Sequence, residues 1–144
     1  MQTLPMLTIT KIFHFEAAHR ITDYRGACRH LHGHSYKLEV SISVDEMGEG
    51  DMLMDFKDLK DLVNESVIRP LDHALLLKDN EGNHADFDQL VGKIYWMKTG
   101  PTAERMVIWI ANNLAKGLPA PVQLTGLKLY ETAGSLAEWN NIRL

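Results

Sequence analysis

Three histidines at alternate positions, His30, His32 and His34, follow Cys28, the single cysteine of this 144-residue chain, in the stretch CRHLHGH. Imidazole nitrogens and a thiolate are the groups best suited to holding zinc and to moving protons near neutral pH. Downstream, Tyr36, Leu38, Val40, Ile42 and Val44 alternate with Ser35, Lys37, Glu39, Ser41 and Ser43, the period of a half-buried strand over 35–44. If the strand reaches back to His32, then His32 and His34 project from its apolar face, because side chains two apart share a face. Such a pair offers two nitrogens to one transition metal, with zinc the best match among abundant ions. It also fits one packed, hydrogen-bonded imidazole beside a solvated one, so a third ligand decides.

FHFEAAHRI supplies a candidate. Phe13, Phe15, Ala17 and His19 fall on one side of a strand over 7–20, and His14, Glu16 and Ala18 on the other. Two strands meeting at their ends would bring His19, His32 and His34 together and leave a fourth position for water or substrate, as a catalytic zinc requires. His30 could compete for the metal, but with His14 and His84 it stays outside the expected ligand set. Cys28 is either an inert buried thiol or, where nearby charge favours the thiolate, a group that takes and returns protons. The loop between the strands holds Arg20, Arg25 and Arg29, which read as solvated charges or as partners for a phosphorylated substrate.

The remaining elements must frame these groups. Asp55 is the expected N-cap of a helix whose apolar residues Phe56, Leu59, Leu62, Val63 and Val67 recur at helical spacing until Pro70. Asp72 and His73 follow, a surface pair if taken bare. Residues 78–100 begin polar and end in an apolar run, with Ile94–Met97 a possible added edge strand. There Tyr95 and Trp96 either pack or line a pocket mouth. Thr102 caps a second helix with Met106, Val107, Ile110 and Leu114 inside, and Glu104 complements its N-terminus. Strands follow at 122–131 and 136–143. Glu131 ends the apolar face that holds Leu127 and Leu129, where a carboxylate needs a partner or a shifted pKa.

The order strand, strand, helix, helix, strand, strand predicts an α+β fold, a four-stranded antiparallel sheet with two helices on one face (ββααββ), in a single domain over 1–144. Two open sheet edges invite an oligomer. With 15 Lys and Arg against 19 Asp and Glu, the net charge of -4 gives no case for nucleic acid or an anionic membrane. One cysteine excludes an intrachain disulfide and suits a reducing cytosol. The N-terminus lacks the apolar core of a signal peptide, and no window approaches the roughly 18 apolar residues of a membrane span, so the expected location is cytoplasmic.

Six motifs in one order, FEAAHRI, Cys28-x3-His32-Gly33-His34, DMLMDFKDLK, LDHALLL, GPTAE and YETAG, resemble the 6-pyruvoyl-tetrahydropterin synthase superfamily over roughly residues 10 to 139. The short gap between Cys28 and His32 is similar to that of the bacterial 6-carboxy-tetrahydropterin synthases of queuosine and deazapurine biosynthesis; pyruvoyl-type enzymes typically have a longer one. Segment 78–100 is longer than in compact members of the family. The resemblance implies the tunnelling fold and a trimer-based homo-oligomer, a hexamer, with sites between chains. It also implies Zn2+ on His19, His32 and His34, and proton transfer by Cys28 with Asp72 and His73. Glu131 would anchor the pterin, and Thr102 and Glu104 would border it. The implied activity is a lyase converting 7,8-dihydroneopterin triphosphate to 6-carboxy-5,6,7,8-tetrahydropterin with release of acetaldehyde and triphosphate. The alternatives are a 6-pyruvoyl-tetrahydropterin synthase, which only eliminates triphosphate, and a noncatalytic pterin- or zinc-binding homologue.

Overall fold

The computed structural model describes residues 6–22, 24, 26, 29–90 and 92–141. Strand β1 (Leu7–His19) pairs antiparallel along its whole length with β2 (His32–Val44), from Leu7 opposite Val44 to His19 opposite His32. The alternation read from the sequence therefore does extend back to His32. Phe13, Phe15 and Ala17 of β1 and Tyr36, Leu38, Val40 and Ile42 of β2 are buried on one face, while Thr8, Thr10, Ile12, His14 and Glu16 are exposed on the other. Phe15 and Tyr36 stack as parallel rings 4.9 Å apart. Next come β5 (Gln123–Thr132) beside β2 and β6 (Ser135–Asn140) beside β5, both antiparallel.

The sheet has six strands, in the order β4-β3-β1-β2-β5-β6, and it is mixed; the expected four-stranded antiparallel sheet is corrected. The additions are β3 (Ala74–Lys78), parallel to the end of β1, and β4 (Ile94–Met97), parallel to β3 and at the sheet's edge. Ala74, Leu75, Leu76 and Leu77 are all buried. A strand covered on both faces has no period-two alternation, so this one left no strand signature. The edge strand expected at Ile94–Met97 is present.

Helix α1 (Phe56–Val63) starts at Asp55, whose Oδ1 accepts from the Lys57 N–H at 2.8 Å. It continues through a π-helical stretch, Asn64–Ile68, into a last turn, α2 (Arg69–Leu71), that contains Pro70. Proline has no N–H to give to the preceding turn, and a widened turn before it relieves the clash. A short third helix, α3 (Glu81–Phe87), was not expected; Asn80 caps it by accepting from the Asn83 N–H at 2.8 Å. Helix α4 (Ala103–Ala115) begins at Thr102, as read. Leu59, Val63 and Val67 from the first helical stretch and Met106, Val107, Ile110 and Leu114 from α4 join the inner sheet residues in one core. No helix among the described residues is long and apolar enough to cross a membrane.

Candidate metal centre

Because His19 and His32 are directly opposed in the β1–β2 ladder and His34 lies two residues further along β2, the three imidazoles meet at the sheet's end. One nitrogen from each lies within 4.8 Å of the others. His19 is 1% exposed, and His32 and His34 are partly buried.

The hydrogen bonds fix the tautomers of two of the rings. His19 Nδ1–H donates to the carbonyl of Pro101 at 2.8 Å, and His32 Nδ1–H donates to the carbonyl of His30 at 2.7 Å. Orienting bonds of this kind are what metal-ligating histidines use to aim the opposite nitrogen. In the neutral rings both Nε2 atoms then carry lone pairs, and they face each other at 3.0 Å. Buried Nε2 of His34 has no hydrogen-bond partner among the described residues. Glu131 adds Oε1 at 3.5 Å from His19 Nε2 and 3.6 Å from His34 Nε2. Ring nitrogens and a carboxylate thus converge on one spot, a donor set that suits a cation. Burial pushes the His19 pKa below the ordinary histidine value, against the raising effects of the Pro101 carbonyl and Glu131. The neutral ring is the metal-binding form. The residues present therefore fit a metal ion.

Asp72 and His73 sit at the turn from α2 into β3. Asp72 Oδ1 accepts from the Glu16 N–H at 2.9 Å and lies 3.1 Å from His73 Nδ1. Burial raises the Asp72 pKa, but the Glu16 N–H, His73 and Lys93 together hold it below the ordinary carboxylate value. His73 has φ 60, the left-handed region that non-glycine residues seldom occupy, and its side chain is 78% exposed. Such backbone positions are kept where surrounding contacts over-determine them. His73 and His34 both border an open cavity of about 540 Å³, with Glu16, Ser35 and Lys93.

The other expected residues divide. Thr102 acts as the N-cap, accepting from the Arg105 N–H at 3.2 Å, and Glu104 is exposed in the first turn of α4. Cys28 and Arg25 lie outside the described residues. Arg29 is exposed. Arg20 is engaged within the protein: its Nη2 donates to Asn83 Oδ1 at 2.6 Å and Asp86 Oδ2 at 2.8 Å, over the ring of Phe87. Tyr95 packs edge-on against Trp109, and Trp96 stacks on His84. Sequence reading missed Pro101 and the His30 carbonyl, since a main-chain acceptor carries no residue-type signal. It also missed Lys93, for which the sequence gives no cue.

A family model described as 6-pyruvoyl tetrahydropterin synthase matches residues 8–141. The chain belongs to the 6-pyruvoyl tetrahydropterin synthase family, and is an enzyme of the lyase type that defines it. Among its relatives are proteins named 6-carboxy-5,6,7,8-tetrahydropterin synthase from Rickettsia conorii, 34% identical over 137 residues with 92% of this chain and 99% of that protein covered, and from Haemophilus influenzae, 33% identical over 141 residues with 93% and 99% covered. The fold is similar to that of an uncharacterised Wolinella succinogenes protein, with a TM-score of 0.77 at 22% identity covering 96% of this chain and 99% of that one. It is also similar to the Caenorhabditis elegans 6-pyruvoyl tetrahydropterin synthase, with a TM-score of 0.72 at 23% identity covering 99% and 100%.

Proposed function

We propose that the chain is a zinc-dependent 6-carboxy-5,6,7,8-tetrahydropterin synthase that converts 7,8-dihydroneopterin triphosphate and water to 6-carboxy-5,6,7,8-tetrahydropterin, acetaldehyde and triphosphate. The observation that carries this reading is the convergence of three imidazole rings, one ligand nitrogen from each within 4.8 Å of the others. The relatives that bear the enzyme's name along nearly their whole length support the choice of substrate.

His19, His32 and His34 hold the ion, and zinc when bound supplies Lewis acidity to the oxygens of the substrate side chain. Glu131 accepts the adjacent N–H donors of the aminopyrimidinone ring, and its closeness to His19 and His34 supports a pterin seated beside the metal ligands. Thr102 and Glu104 border that ring from the start of α4. Cys28 and His73 take and return protons at the side-chain carbons. Asp72 remains charged at neutral pH and stabilises the His73 imidazolium whenever it forms.

A trimer-based hexamer is the assembly that membership of the family implies, and the sheet's open edges are compatible with it. Strand β3 covers only Ala17, Ala18 and His19 of β1, so the outer edge of β1 from Leu7 to Glu16 has no strand partner among the described residues, and β6 is the sheet's other edge. Exposed edges of this length are paired or protected in stable proteins. A monomer by light scattering at micromolar concentration would remove the assembly. The same reading assigns the product to queuosine or deazapurine biosynthesis in the cytoplasm.

Mass spectrometry of products from 7,8-dihydroneopterin triphosphate and zinc-loaded protein tests substrate and bond cleavage together. Acetaldehyde with the carboxypterin is the expected result. Triphosphate without acetaldehyde favours pyruvoyl chemistry, the activity in the name of a 30% identical relative, the 6-pyruvoyl tetrahydrobiopterin synthase of Poecilia reticulata. No turnover by protein that holds zinc favours a noncatalytic homologue.

A further inference from the structure

Lys93, just before β4, is an exposed lysine beside Asp72 and the cavity. Its Nζ donates to the carbonyl of Asp72 at 2.8 Å and to the carbonyl of Arg69. The Arg69 carbonyl belongs to the last helical turn, whose free carbonyls attract a cation. The Asp72 carbonyl is the oxygen of the peptide that joins Asp72 to His73. On the other side of that peptide, the His73 N–H donates to the Glu16 carbonyl of β1 at 2.6 Å. One peptide unit is thus held at its oxygen by Lys93 and at its nitrogen by the sheet.

That peptide sets the two rotations that decide where the His73 side chain goes, ψ of Asp72 and φ of His73. His73 occupies φ 60, a conformation that an L-residue leaves when released, because its Cβ crowds the carbonyl oxygen. Its ring touches only Asp72 among the polar contacts of the described residues, and its side chain is 78% exposed beside the cavity that Lys93 also borders. Ring contacts alone are therefore too few to hold this conformation. The Glu16 hydrogen bond fixes one end of the peptide, and Lys93 supplies the hydrogen bond to its oxygen end among the described residues.

We infer that Lys93 is a positioning residue: by clamping the Asp72–His73 peptide it keeps the His73 imidazole in the left-handed turn from which it reaches substrate. The inference rests on the proton-transfer role proposed for His73, but its structural half stands without it. Lys93→Met keeps the aliphatic stem and removes the donors, whereas Lys93→Arg restores N–H groups near the same carbonyls.

Two readouts separate the structural clamp from the catalytic role. In native-state hydrogen exchange, Lys93→Met should speed exchange of the His73 amide by about tenfold or more while amides of the β1–β2 ladder keep their protection. Lys93→Arg should recover most of the slow exchange. In turnover of 7,8-dihydroneopterin triphosphate by the zinc-loaded enzyme, Lys93→Met should lower kcat by about tenfold or more with KM changed less than about twofold, again with recovery in Lys93→Arg. Unchanged His73 exchange in Lys93→Met overturns the clamp. Faster exchange with unchanged kcat overturns the catalytic consequence, and a raised KM at constant kcat would make Lys93 a substrate contact instead. If the wild-type protein turns over no pterin, the exchange measurement still decides the clamp, and only the proposed activity fails.

Discussion

His19 and His32 present their Nε2 atoms to each other 3.0 Å apart while the Nδ1–H of each is committed to a main-chain carbonyl. In their neutral forms the two rings direct lone pairs at one another, with the Glu131 carboxylate beside them and the His34 Nε2 without a hydrogen-bond partner among the described residues. Metal binding should therefore stabilise the fold directly. With free zinc at about one hundred times its dissociation constant, the gain is about 2.7 kcal/mol. Calorimetry on chelated and zinc-loaded protein checks this, with His34→Ala as the variant that loses the shift. An equal Tm with and without zinc would count against the site.

Cys28→Ala should retain zinc and the folded state while kcat falls by about a hundredfold or more, the usual share of a general acid–base group. Metal analysis and circular dichroism establish the first part, and turnover the second. Unchanged turnover would retire the thiol from proton transfer.

Arg20 follows a proposed metal ligand in the chain, yet its guanidinium is spent on α3. Asn83 is fully buried, so Arg20→Met strands its Oδ1 and should destabilise the protein by about 1.5–3 kcal/mol, the range for a hydrogen bond to a charged group. Urea unfolding measures the loss. A rise in KM with stability unchanged would show the guanidinium meeting the substrate's phosphates instead.

His84 lies between two carboxylates, its Nδ1 2.6 Å from Asp88 and its Nε2 2.6 Å from Asp79. Those bonds, Asp88 first, raise its pKa above the ordinary value of 6.5. A raised folded value means that the folded state holds the proton more tightly. The stabilisation is then complete below the unfolded value, about 6.5. It is lost as pH climbs through the higher folded value. The difference in urea midpoint between wild type and His84→Gln should shrink across that interval. A His84 titration by NMR at or below 6.5 would refute the clamp.

The parts of this fold that alternate were legible from the sequence, and the parts that do not were hidden. Strands β1 and β2 show their alternation on either side of the connecting loop, which places His19, His32 and His34 on the inner face, while the register that sets His19 opposite His32 comes from the pairing itself. The run Ala74–Leu77 is buried on both faces and so reads as an undifferentiated apolar stretch, which concealed β3 and the sheet's parallel half. At the site, the convergence of His19, His32 and His34 was expected from residue type and strand period, which are both visible in the letters. The orienting contacts were not visible, since Pro101 and His30 act through carbonyls that every residue possesses. Lys93 belongs with these: its partners are main-chain oxygens of a turn, and only the coordinates bring them within reach.

The bond from His19 to Pro101 spans 82 positions of the chain. The Tyr36 hydroxyl of the neighbouring strand lies 3.3 Å from the same His19 Nδ1, but the shorter bond to Pro101 forms once the peptide entering α4 has docked against the end of β1. A metal at the three rings would therefore be held most tightly by the finished molecule, since a partly folded chain offers loose imidazoles in place of three oriented ones. The residence of such an ion would then report whether the two distant stretches have found each other.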